Sequence, residues 1–200
     1  MWPWGHLAAA YLVYVAYSRI RYRHRPTEAT AILVALGSQL PDLIDKPLAW
    51  TLAVLPAGRS LAHSLLVLGP LLAAAYLFAR RRDRALDRET RREGARAPLV
   101  VAVGIGAVVH SLTDALYPAI EGEFAALAFL AWPAADLPPP TDTQSFIGQF
   151  AQMALTPEFA FELLLVALAL AVWARQDYPG LDTVRVVSAR LVRGVTDAGP

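Results

Sequence analysis

Apolar residues along this chain run in unbroken stretches, and the stretches are separated by short clusters of arginine. A soluble helix carries a stripe of apolar positions at i, i+3, i+4 and i+7, whereas a helix in hydrocarbon is apolar all round. The first run, Trp2 to Tyr17, is followed by Arg19, Arg21, Arg23, His24 and Arg25. Charge that comes after the apolar run is the reverse of a secretory signal, so the pattern predicts a first spanning helix with its basic end in the cytoplasm. The second run, Glu28 to Leu40, stops at Pro41. It is shorter than the roughly 20 residues that cross hydrocarbon, which predicts a helix that borrows from its flanks or lies half-buried among its neighbours.

Pro47 to Leu55 forms a small apolar piece, and Ser60 to Ala79 predicts a full span that contains His63, with a kink near Pro70. Arg80 to Arg96 mixes eight arginines with Asp83, Asp87, Glu89 and Glu93, the pattern of a solvated connecting helix on the cytoplasmic side. Pro98 opens a span to Tyr117 that holds Gly104, Gly106, His110 and Asp114, and its small residues permit close helix packing. The apolar piece Phe124 to Trp132 leads into Pro133 to Thr141, which predicts a loop or lid at the interface. Phe159 to Trp173 is the last strong run, and residues 176–200, with Arg185, Arg190 and Arg193, predict an amphipathic cytoplasmic tail. The expected fold is all-α: one membrane-embedded helical domain over residues 1–200, a bundle with about four to five spanning or partly spanning helices.

Composition sharpens this picture. Hydrophobic residues make up 56% of the chain against 18% charged, so the apolar excess must face something other than water. The formal net charge is +1 and the arginine-rich stretch carries its own acids, so no nucleic-acid partner is expected. There is no cysteine, which excludes disulfides and thiolate ligands and leaves imidazole and carboxylate for any transition metal.

Placing the three arginine-rich segments in the cytoplasm brings His6, Asp42, Asp45, Arg59, His63, His110 and Asp114, with Glu162, toward the outer end of the bundle. That convergence is independent of the arginine placement that sets the topology. His110 and Asp114 are four apart and share a helix face, Arg59 and His63 have the same spacing, and Asp42 and Asp45, three apart, can turn to a common side. Ionisable groups inside a membrane default to a functional or paired role. Each also has a plainer reading: the histidines as hydrogen-bonded packing residues, Asp42 and Asp45 as caps of a helix starting near Lys46, Arg59 as an interfacial anchor. Trp2, Trp4, Trp50, Trp132 and Trp173 suit an aromatic belt.

The segments Gly5-His6, Leu40-Pro41-Asp42-Leu43-Ile44-Asp45, Arg59-Ser60-Leu61-Ala62-His63-Ser64 and His110-Ser111-Leu112-Thr113-Asp114 resemble the signature blocks of the YdjM-type family of membrane-bound, predicted metal-dependent hydrolases. The resemblance covers residues 1–120, and the carboxyl-terminal third rests on hydropathy alone. More distantly it is similar to the zinc-dependent phospholipase C and single-strand nuclease superfamily, in which Trp4 or Trp2, His6, Asp42 or Asp45, His63, His110 and Asp114 fall in a comparable order. No histidine follows His110, so the resemblance implies one or two ions in place of that superfamily's cluster.

The implied chemistry is hydrolysis of an ester or phosphoester, a lipid among the candidate substrates, at the outer membrane surface. A divalent metal, zinc fitting best, would be held by His63, His110 and Asp114, with Asp42 or Asp45 and His6 completing the set or holding a second ion. Arg59 would orient an anionic substrate, and the remaining aspartate would be the general base. The rival expectation is a non-catalytic membrane protein in which the same residues form a polar network or an ion or proton pathway.

Overall fold

Proline and threonine set where the helices begin. Pro3, Pro41, Pro98 and Pro157 each stand in the first turn of a helix, where a missing N–H costs nothing. Thr27 and Thr30 cap one another, each side chain accepting the other's backbone N–H. The computed structural model describes residues 1–87, 95–139, 145–151 and 154–197, and every regular element among them is helical. In chain order they are α1 (Pro3–Tyr22), α2 (Glu28–Gly37), α3 (Leu40–Lys46) running into a π-helical turn (Pro47–Thr51), α4 (Leu65–Arg84), α5 (Ala97–Glu121), a 3-10 helix (Phe124–Ala131), α6 (Phe146–Ala151), α7 (Pro157–Ala174) and α8 (Leu181–Asp197).

Helix α5 is the axis of the molecule and packs against α1, α2 and α4, while α7 packs on α1. Tyr14, Val34, Ala10 and Ala102 form the buried centre. The closest approach is between α2 and α5. A Cβ on Gly106 would sit 2.5 Å from the Val34 carbonyl oxygen and 2.6 Å from the Ser38 nitrogen, and one on Gly37 would sit 2.4 Å from the Val103 carbonyl oxygen. The two backbones therefore touch directly, as the small residues of the fourth apolar run predict. This contact carries Ser38 to the face of α5 that holds His110.

Among the described residues two helices, α5 and α7, are long and apolar enough to cross a membrane. The expected four to five spans are therefore not met by that measure, and the reasons are local. Helix α2 has ten residues, a length of about 15 Å. Helix α4 turns from apolar to Arg80, Arg81 and Arg82 after fifteen residues, and α1 interrupts its apolar run with His6, four tyrosines and Arg19. Helix α7 turns Leu163, Leu164, Leu168 and Leu170 outward, and α4 does the same with Leu71, Leu77 and Phe78. Such a belt suits hydrocarbon.

At the end opposite His6, His63 and His110, Asp83 accepts hydrogen bonds from the Arg96 and Ala97 amides, both at 2.8 Å, and so ties α4 to α5. Arg25 pairs there with Asp177, and Glu28 accepts from Thr183. Residues 88–94 of the expected connecting helix, and 140–141 of the expected loop or lid, lie outside the described residues. The rest of the lid follows the sequence reading, with no regular helix from 133 to 139.

Substituting Gly106→Ala forces a methyl group into the α2 backbone and is expected to cost about 1–3 kcal/mol. Gly69→Ala meets nothing within 4 Å and is expected to leave the thermal midpoint in detergent unchanged or raised. Equal midpoints for both variants would contradict the close packing.

Candidate metal centre

The centre is built on one carboxylate that binds backbone. Asp45, fully buried on α3, accepts hydrogen bonds from the amides of Ser60 at 2.8 Å, Ala62 at 2.9 Å and His63 at 3.3 Å. Those amides are consequently not available to a helix. Residues 60–63 form turns, and α4 begins only at Leu65, five residues later than the start of the predicted span at Ser60. Asp42 and Asp45 lie inside α3, not at the cap of a helix starting near Lys46. The Arg59 and His63 pair, spaced as if on a helix, stands instead on this turn.

Asp45 also fixes the His63 ring. Its Oδ2 lies 2.8 Å from Nδ1, and because a carboxylate only accepts, Nδ1 carries the proton. His110 is oriented the same way by backbone: its Nδ1 donates to the Ser38 carbonyl at 2.6 Å. With both outer nitrogens protonated, the two Nε2 atoms of the neutral rings present lone pairs to each other at 3.2 Å. Two lone pairs at that distance repel unless a cation or a proton stands between them.

Carboxylates close the remaining sides. Asp42 Oδ1 lies 3.5 Å from His63 Nε2 and 3.6 Å from His110 Nε2, and this buried oxygen has no hydrogen-bond partner among the described residues. Asp114 Oδ2 lies 3.6 Å and 3.9 Å from the same nitrogens. The four donor atoms fall within 4.8 Å of one another. Bonds of zinc to nitrogen and oxygen near 2.0–2.1 Å give a tetrahedral edge of about 3.3 Å. The shorter separations match that edge, and the orphaned Asp42 oxygen is the donor such an ion would satisfy.

Cations outside the cluster hold its acids. Lys46 Nζ donates to Asp42 Oδ2 at 2.6 Å, and Arg59 Nε donates to Asp114 Oδ2 at 2.7 Å. Burial works against the Asp42 carboxylate, and His110, His63 and Lys46 overcome it and hold its pKa far below the usual range. Burial likewise opposes a charge on His63, and Asp114, Asp42 and Asp45 around it hold its pKa up at about 10. The rings of His63 and His110 are sealed, while Arg59 is 37% exposed and Asp42 14%. The open side of the cluster is therefore the side of Arg59 and Asp42.

His6 reaches the cluster without joining its donor set. Its ring stacks on His110 with centroids 3.8 Å apart, its Nδ1 lies 2.8 Å from Thr113 Oγ1, and its Nε2 lies 3.2 Å from Asp114 Oδ1. Glu162, buried on α7, accepts from the Trp2 amide at 3.0 Å, and a Cβ on Gly5 would come within 2.6 Å of its Oε2. The glycine before His6 therefore makes room for a carboxylate from α7. Sequence reasoning missed the Ser38 carbonyl, which carries no side-chain signal, and Lys46, whose spacing of four from Asp42 was the available clue.

The model of the YdjM inner membrane protein family matches residues 1–179. The chain belongs to that family. In this YdjM-family protein the match extends past the signature blocks into α7, the helix that supplies Glu162. Comparison with the curated proteins and with the solved structures returned no match. The family places the protein in a membrane, and its chemistry has to be argued from the cluster itself.

Replacing Asp45 by alanine strands three buried amides and the His63 Nδ1 proton, and is expected to destabilise the protein by on the order of 3 kcal/mol. Denaturant unfolding of Asp45→Ala checks this, and a loss below 1 kcal/mol would remove Asp45 as the organiser of the turn.

Proposed function

We propose that this membrane protein is a metal-dependent hydrolase of ester or phosphoester bonds, with a divalent ion held by His63, His110, Asp42 and Asp114. The supporting observation is the pair of opposed Nε2 atoms 3.2 Å apart, each with its other nitrogen engaged as a donor. Imidazole and carboxylate ligands without a thiolate suit zinc. When bound, such an ion polarises a carbonyl or phosphoryl oxygen and lowers the pKa of a coordinated water to about 7.

The chain's own residues supply the rest. Asp45 and the Ser38 carbonyl hold the two rings in one tautomer, the outer layer that orients metal ligands elsewhere. Lys46 pins Asp42 so that a single oxygen faces the cluster. Arg59, at the exposed rim, binds the anionic oxygens of the substrate. Asp45 is enclosed by amide donors and is a positioning residue, whereas Asp42 turns its Oδ1 to the ion as a ligand. We further propose that α1 and α4 cross the bilayer beside α5 and α7, and that the arginine-rich end lies in the cytoplasm. The cluster then faces the extracytoplasmic side.

A second reading is favoured by the raised pKa of His63. In it a proton fills the gap between the rings and the cluster is a structural polar network, which needs no metal.

Elemental analysis separates the two. Protein purified without chelator is expected to carry about one divalent ion per chain, His63→Ala and His110→Ala to carry none, and Asp45→Asn to bind about 10–100-fold more weakly. Hydrolysis across a panel of phosphoesters and lipid esters is expected to stop with chelator and return with zinc. Protein that holds no stoichiometric ion under metal-replete conditions would leave the network reading.

A further inference from the structure

Helix α8 takes no part in the metal centre, and it starts at the foot of α7. Helix α7 has eighteen residues, a length of about 27 Å against about 30 Å of hydrocarbon, so its end at Ala174 marks the border of the apolar layer. The turn that follows is firmly built. Trp173 Nε1 donates to the Pro179 carbonyl at 3.0 Å, the Trp173 and Tyr178 rings meet edge to face with centroids 5.0 Å apart, and Asp177 pairs with Arg25. Tryptophan, tyrosine and arginine gathered at one level mark a membrane–water interface. Gly180 then brings the chain against α2, where a Cβ on it would lie 3.3 Å from Ile32, and the Thr183 amide donates to Glu28. The first turn of α8 is therefore held at the depth where α7 leaves the hydrocarbon.

From that turn the helix carries two unlike faces. Val184, Val187 and Leu191 fall within about 60° of one another around the axis, and they are between 49% and 66% exposed. Asp182 stands opposite this sector, Arg190 at its border and Arg185 between them, with Val186 the one large apolar residue on the polar side. The direction of the apolar face is set by what its first residues touch. Leu181 and Val184 line the same apolar groove as Ile32 of α2 and Leu170 and Trp173 of α7. The face thus begins on the flank of the bundle where α7 turns Leu163, Leu164 and Leu170 outward, and Val187 and Leu191 carry the same surface past the bundle. Whatever covers that flank of α7 covers its continuation, and in a membrane protein this is the bilayer.

We propose that α8 is an interfacial helix, lying along the surface of the bilayer that α7 crosses. Val184, Val187 and Leu191 enter the acyl boundary, while Asp182, Arg185 and Arg190 stay among headgroups and water. A pronounced apolar face with arginine on the polar side is what such a helix needs. The arginine side chains can extend to the headgroups from the border of the apolar sector. The inference is independent of the metal centre and of the hydrolase reading, and shares with them only the crossing of α7.

The chain has no cysteine, so single nitroxide labels can be placed in the full protein without other changes. Labels at Val187→Cys, Leu191→Cys, Asp182→Cys and Ala189→Cys, in nanodiscs of phosphatidylcholine and phosphatidylglycerol, are read by electron paramagnetic resonance with two relaxing agents: oxygen, which concentrates in hydrocarbon, and a nickel chelate, which stays in water. The labels at 187 and 191 are expected to favour oxygen and to report a depth of about 5–10 Å inside the headgroup boundary. Those at 182 and 189 are expected to favour nickel. Where Val187→Cys loses helix content by circular dichroism, Leu191→Cys reports the same face. Labels at 187 and 191 as open to nickel as the one at 182 would place α8 in water and overturn the proposal. Shielding of both from both agents, as a second copy or another protein on the face would give, overturns it equally.

Discussion

Two imidazole nitrogens face each other at the head of this bundle, and the protein has spent its nearby backbone on keeping them that way. Asp45 takes the outer proton of one ring, and the Ser38 carbonyl takes that of the other. Neither acceptor can give a proton back, so in the neutral rings both inner nitrogens are acceptors, and the gap between them has to be filled by positive charge. Asp42 and Asp114 stand beside that gap as acids, with Lys46 and Arg59 behind them. A buried array of this kind is costly unless every member is partnered, and the Asp42 oxygen left without a hydrogen bond among the described residues faces the gap.

The fold can be understood as what it takes to bring these groups to one level. Gly37 and Gly106 let α2 and α5 touch, which places the Ser38 carbonyl against His110. Asp45 draws the 60–63 amides out of the helical pattern, which turns His63 inward and postpones α4. Gly5 leaves room for Glu162, so α7 closes on α1 beside the cluster. Each step spends ordinary helix hydrogen bonding or side-chain volume on position.

Much of this was legible in the residues. Unbroken apolar runs gave the helices, the arginine clusters gave one end of the bundle, and the spacing of His110 and Asp114 placed both on one face of α5. Two features could not be read. Whether His63 sits in a helix depends on Asp45, eighteen residues away, because local apolar pattern carries no information about a long-range cap. The position of His6 depends on packing as well: stacked on His110 and held by Thr113, it lies outside the four donor atoms, although its place in the sequence block suggests a ligand. Among the described residues two helices, against the expected four to five spans, are long and apolar enough to cross by themselves, since an apolar run predicts hydrophobicity and not whether bundle contacts or lipid will cover it.

X-ray absorption at the zinc edge of the zinc-loaded protein tests the central claim most directly, because it reads the identity of the donors and their distances without an assay. The account predicts a four-donor shell at about 2.0–2.1 Å containing two imidazoles, and no such bound zinc in His110→Ala. A shell of oxygen donors without imidazole scattering would contradict it.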